Sequence, residues 1–79
     1  IMNLEINVTN VDDAVKMRLG PILEEMFCLA KRVIDGGGQV VLKIVYVNAQ
    51  PEVLRTLRTK TELNEWQSWV RDSYKGMEQ

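Results

Sequence analysis

The sequence predicts a small α+β domain of two layers, in the order β-α-β-(α)-α, with helices packed on one face of a small sheet. Three observations predict it. Residues 2–9 alternate apolar and polar side chains, the period of a half-buried strand. From Val11 to Val33 apolar residues recur every three or four positions, the period of an amphipathic helix. Residues 39–48, QVVLKIVYVN, then form a second apolar, β-branched run, and another helical pattern follows Thr59. All 79 residues read as a single domain, 1–79, because a chain of this size buries only about 60% of the surface its unfolded form exposes and cannot support two cores.

Composition narrows the function classes. An apolar content of 46% and a charged content of 27% suit a globular chain. Ten basic against eleven acidic residues leave a net charge of -1, so no overall field draws the chain to nucleic acid or an anionic membrane, and charge-driven binding has to be local. Cys28 is the single cysteine and has no internal disulfide partner; an apolar leader with a cleavage site and an 18-residue apolar run are both missing, so the expected compartment is cytoplasmic. Histidine is absent, which removes the usual general base and metal ligand. Nor does the pair Glu24-Glu25 supply catalytic carboxylates, since adjacent residues on a helix diverge by about 100°. The expectation is a protein that is not an enzyme and uses no cofactor or metal. Cys28 lies in MFCLAK, inside a helical apolar pattern, and reads as a small buried hydrophobe.

In the first strand Met2, Leu4, Ile6 and Val8 share one face and Asn3, Glu5, Asn7 and Thr9 the other. Asn10 reads as an N-cap, with Asp12 and Asp13 in the first turn near the positive end of the helix dipole, so a helix starts at about Val11. Its stripe is Val11, Val15, Leu19, Ile22, Met26, Leu29 and Val33, broadened by Leu23, Ala30 and Ile34. Because the phase continues across Gly20-Pro21, the pattern predicts one helix kinked where Pro21 has no N–H for the carbonyl of Met17. Asp35 and Gly36-Gly37-Gly38 end it, glycine reaching positive φ at a helix end without strain. A phosphate-binding loop has the reverse context, following a strand and opening a helix.

The second strand is apolar on both faces, Val40, Leu42, Ile44 and Tyr46 on one and Val41, Lys43, Val45 and Val47 on the other. Helices on one side of a sheet cover only one of them, so Val41, Val45 and Val47 are assigned to a self-association surface and a homodimer is expected. Residues 51–58 fit a helical turn opened by Gln50-Pro51, with Val53, Leu54 and Leu57 as its apolar edge; a third strand from Val53 to Thr59 is the alternative.

Thr59 and Glu62 match the S/T-x-x-E capping box and open the last helix. Leu63, Trp66, Val70, Tyr74 and Met77 fall within a band roughly 80° wide, which packs on the sheet and makes Trp66 a core residue. Trp69 lies roughly 60° beyond the edge of that band, toward Glu62, Glu65 and Asp72. These four are the candidate partner-binding residues, suited to a protein surface that is basic and partly apolar. Lys60, Arg71 and Lys75 gather on the opposite flank, and Arg55, Arg58 and Lys60 form a candidate phosphate-binding patch.

MNLEINV as an opening strand, a long helix ending near AKRVI, DGGG after it, a second strand closing on Asn48, and Thr59-Lys60 opening a tryptophan-bearing final helix span nearly the whole chain. In this layout the sequence resembles the DinI-like family, small bacterial and phage proteins that act on the RecA recombinase filament. The resemblance implies a non-enzymatic modulator of a RecA-type recombinase and of the DNA-damage response, with the last helix meeting the recombinase. Family members carry a strongly acidic last helix. Here Lys60, Arg71 and Lys75 interrupt it, leaving Glu62, Glu65 and Asp72 as the surviving acidic positions with Trp69 among them. The alternative is a nucleic-acid-associated regulator using Arg55, Arg58 and Lys60, against which stands an isoelectric point near 5.3.

Overall fold

The computed structural model describes residues 3–76, and in it the first strand, β1 (Asn3–Asn7), is ended by its own last residue. The Asn7 side-chain oxygen accepts from the Thr9 N–H at 3.0 Å, so the N-cap is Asn7 and not Asn10. Helix α1 (Val8–Lys16) therefore starts three residues before the expected Val11. Val8 and Thr9 continue the strand alternation equally well in sequence; the carboxamide cap is what decides between the two states. Met2 and Met77 lie outside the described residues.

A second correction follows at residues 17–19. Leu19 N–H donates to Ala14 O at 2.9 Å and Arg18 N–H to Val15 O at 3.2 Å, the nested pair of bonds that closes a helix end. Arg18 takes φ 61 to make them. The chain thus breaks before the proline, and the expected kinked helix is two helices. Pro21 falls in the first turn of α2 (Gly20–Asp35), where its missing N–H is one that no helix partner would have met. The Arg18 guanidinium lies 4.2 Å over the Tyr74 ring and donates to the Tyr74 carbonyl at 3.0 Å, contacts that offset the left-handed strain.

Because the helix restarts, its inward face is reset. Leu23, Phe27, Ala30, Val33 and Ile34 are buried, whereas Ile22 and Leu29 are exposed and Met26 is half-buried. Cys28, expected inside, is exposed for the same reason. The end of α2 repeats the closing motif of α1, with Gly38 N–H on Val33 O at 2.8 Å and Gly37 N–H on Ile34 O at 3.0 Å. Here Gly37 holds the left-handed position at φ 85, as the triple glycine leads one to expect.

Strand β2 (Gln39–Ile44) lies at the centre of a three-stranded sheet of order β1-β2-β3, parallel to β1 and antiparallel to β3 (Glu52–Leu57). The segment 51–58 thus holds a third strand and not the helical turn. A six-residue segment whose apolar residues are Val53, Leu54 and Leu57 suits either state locally, and the free edge of β2, whose N–H and C=O groups need partners, selects the strand. The register slips between Leu42↔Arg55 and Lys43↔Val53, which makes Leu54 the extra residue of a β-bulge.

The helical layer covers one face of the sheet, where Ile6, Val40, Leu42 and Leu57 are buried. On the other face Lys43 pairs with Glu5, and the Arg58 Nε–H donates to Gln39 Oε1 at 3.2 Å. The last helix, α3 (Lys60–Gly76), packs on α1 and α2. The fold class is α+β, as expected, with the optional helix replaced by β3. No helix among the described residues is long and apolar enough to cross a membrane.

Candidate partner-binding face of the last helix

Two anchors fix the rotation of α3 about its own axis. At its start, Glu62 N–H donates to Thr59 Oγ1 at 3.1 Å, while the Glu62 carboxylate accepts from Arg58 N–H at 3.0 Å and from the Thr59 hydroxyl at 3.4 Å. This is the expected capping box, with the glutamate reaching one residue further back than the capping threonine. The Arg58 N–H is the largest influence holding the Glu62 carboxyl below the usual carboxylate range, with the Thr59 hydroxyl assisting.

Along its length, Leu63, Trp66 and Val70 are buried, and Trp66 meets Phe27 edge to face with ring centroids 5.6 Å apart and planes at 87°. Arg71 adds a two-pronged ion pair to Glu24 at 2.6 and 3.1 Å, its guanidinium 5.0 Å from the centre of the Phe27 ring. Lys60 pairs with Asp35 at 3.2 Å. Two of the three cations on the basic flank therefore tie α3 to acidic residues of α2.

With α3 held this way, Trp66 keeps 6% of its surface exposed and Trp69 keeps 65%. Trp69 stands between two shallow depressions. One, on the outer side of α3, is lined with it by Thr61, Asn64, Glu65, Ser68 and Asp72. The other lies between α3 and α1 and is lined with it by Val11, Asp12, Val15, Lys16, Val70 and Ser73. The Ser73 hydroxyl donates to the Trp69 carbonyl at 3.1 Å. The indole is thus the ridge between two hollows that together carry three carboxylates, Asp12, Glu65 and Asp72, and one ammonium, Lys16.

Of the four candidate residues, the structure brings Glu65, Trp69 and Asp72 together and gives Glu62 to the helix cap. The pattern of α3 alone could not point to Asp12 and Lys16, because they reach Trp69 from α1 through a helix pairing that no local spacing encodes. Glu65 also meets Arg55, at 3.5 Å, an exposed contact of little strength.

The basic residues of the alternative patch are drawn apart, Arg55 to Glu65 on α3, Arg58 to Gln39 on β2 and Lys60 to Asp35 at the end of α2. Of the self-association residues, Val41 lies on the outer sheet face, half-buried beside Lys43 and Thr56. Val45 and Val47 fall beyond the end of β2, in its connection to β3, and both are exposed. Among the described residues no group of three or more histidine, cysteine, aspartate or glutamate side chains converges to hold a metal ion.

The fold and this face define the class: a three-helix, three-stranded α+β domain with an aromatic, acidic ridge on its last helix. Compared with family models, curated proteins and solved structures, the chain matches none of them.

Proposed function

We propose that this chain is a non-enzymatic protein-interaction module whose α3 outer face docks on a partner surface that is basic and partly apolar. The observation carrying the proposal is Trp69, 65% exposed on a helix whose orientation is otherwise fixed by burial and ion pairs. A tryptophan this exposed contributes little to the core, and a large rigid indole ringed by Asp12, Glu65 and Asp72 offers a partner an apolar anchor with charge complementarity around it. The resemblance to DinI-like proteins makes a RecA-type recombinase filament the first partner to test, with modulation of the DNA-damage response as the role.

The test is capture of purified RecA filament by wild type, Trp69→Ala and Glu65→Lys, each matched for helix content and melting midpoint. Trp69→Ala weakens capture by roughly 2 kcal/mol as a hot-spot residue, and Glu65→Lys slows association in a salt-sensitive way. Unchanged capture by folded Trp69→Ala overturns the proposed face. Absence of any wild-type capture overturns the proposed partner.

A further inference from the structure

The exposed apolar side chains of the molecule are not scattered evenly. Val47 at 98%, Val53 at 60% and Leu54 at 50% lie together along the β2–β3 connection and β3. β3 is also an edge of the sheet, paired with β2 on one side only, and α3 packs mainly on α1 and α2, reaching β3 at the exposed Arg55–Glu65 contact. An open row of backbone N–H and C=O groups beside exposed valine and leucine is a template for another strand.

The side chains of β3 say which strand. Glu52 and Arg55 are three apart, a spacing that in a regular strand puts them on opposite faces. The bulge at Leu54 changes that: Glu52 is opposite Ile44 and Arg55 opposite Leu42, and those two share a face of β2. A second β3 running antiparallel about a two-fold axis between Val53 and Leu54 sets Glu52 against Arg55 of the other copy, twice, and Val53 against Leu54, twice. Directly opposed residues on one face are the pairs that stabilise a sheet, whereas a parallel in-register pairing would set glutamate on glutamate and arginine on arginine. Little is given up to make the exchange. Glu52 now accepts from the Tyr46 hydroxyl at 3.5 Å and Arg55 meets Glu65 at 3.5 Å, both exposed and at the limit of contact.

We infer that the β3 edge is a self-complementary interface through which a second copy of this chain joins, making a six-stranded sheet with an antiparallel seam between the two β3 strands. It does not involve Trp69 or the proposed partner, and touches that face only through Arg55, which exchanges its contact with Glu65 for Glu52 of the second copy. Pro51 and the bulge limit the pairing to the few residues from Glu52 onward, so the interface is of the small class that bury less than about 1,200 Å² and associate weakly.

Sedimentation equilibrium over rising concentration, into the range of about 1 mM typical of weak association, tests it with four chains. Wild type dimerises. Glu52→Arg and Arg55→Glu each replace both cross-pairs by like charges and weaken association by about tenfold or more. The double exchange Glu52→Arg/Arg55→Glu restores the opposite pairing and with it the wild-type dissociation constant, which no general effect on folding would do. Hydrogen exchange at the β3 amides slows as concentration rises. A wild type that stays monomeric over the whole range, single reversals that leave association unchanged, or a double exchange that fails to restore it overturns the inference.

Discussion

The two tryptophans of α3 are three residues apart and occupy opposite environments. Trp66 is pressed edge to face on Phe27 beneath the helix, while Trp69, one side of the same helix away, stands in water among carboxylates. Residues at this spacing point about 60° apart, so a helix held at one rotation can bury the first and present the second. What holds that rotation is the buried stripe of Leu63, Trp66 and Val70 resting on Phe27, with the pair Arg71–Glu24 on one flank and the capping of the first turn by Thr59. A residue type therefore carries no function by itself. The same indole is packing or a docking group according to where the neighbours of its helix fix it.

The largest effect expected from this contrast is on stability. Trp66→Ala lowers the unfolding free energy by about 3–5 kcal/mol, the range for removing a buried large aromatic, and in a domain this small that is most of what there is. Trp69→Ala, measured in the same urea titration, stays within about 0.5 kcal/mol of wild type, as surface substitutions do. Equal losses at the two positions would break the contrast and return Trp69 to the core.

A smaller effect sharpens the account of Trp66. A double-mutant cycle on Phe27→Leu and Trp66→Leu isolates the ring pair from the area both bury, and a coupling of about 0.5–1.5 kcal/mol is expected for an edge-to-face contact. Additive losses would mean that Phe27 and Trp66 fill space independently and that their geometry does not orient α3.

The cap comes next. Thr59→Ala removes the oxygen that accepts the Glu62 N–H and costs about 1 kcal/mol, read from the same titration. The Glu62 carboxyl adds a pH dependence whose sign is fixed by its lowered pKa, which arises first from the Arg58 N–H. A group whose pKa is lower folded than unfolded binds fewer protons when folded, so its contribution is fully present above the ordinary glutamate range and is lost as pH falls through the lowered folded value. The stability difference between wild type and Glu62→Gln should accordingly be present at neutral pH and close as the solution is acidified. A difference independent of pH would assign Glu62 a neutral hydrogen-bonding role only.

The parts of this molecule that were legible in sequence are those decided within one turn or one strand. The capping box, the buried Leu63, Trp66 and Val70, the outward Trp69 and the left-handed glycine after α2 all follow from spacings of one to seven residues. Apart from the cap at Asn7, a contact only two residues long that competes with an equally good strand pattern, the misjudged parts depended on what lies elsewhere. An unbroken apolar phase across Gly20-Pro21 concealed a helix end made by Arg18, a residue that favours the left-handed region far less than glycine does and is held there by Tyr74 from the far end of the chain. Carrying that phase forward placed Ile22 and Leu29 inside, left out Phe27, the ring on which Trp66 rests, and hid the exposure of Cys28. β3 was ambiguous for a related reason: its state is chosen by the free edge of β2, a long-range partner that propensity does not see. Half of the Trp69 surroundings, Asp12 and Lys16, came from α1 by the same kind of contact.

The smallest effect on stability belongs to the charges around Trp69, and it is best read by light. In a Trp66→Phe chain, which keeps a ring on Phe27, the remaining emission comes from Trp69 alone. With Asp12, Glu65 and Asp72 lining the hollows on either side of the indole, and Lys16 and the Arg55 that meets Glu65 opposing them, the net local potential is negative. A cationic quencher such as caesium is therefore concentrated at the ring and an anionic one such as iodide is held off, so caesium should quench more efficiently relative to its action on free tryptophan. The difference should narrow in Glu65→Gln and Asp72→Asn, and it should collapse near 1 M inert salt, where screening acts over about 3 Å. Melting midpoints of these two variants should barely move, because exposed ion pairs contribute little to folding. Should iodide quench as well as caesium at low salt, the ridge is electrostatically neutral, and the preference for a basic partner surface loses its physical basis while the exposure of Trp69 stands.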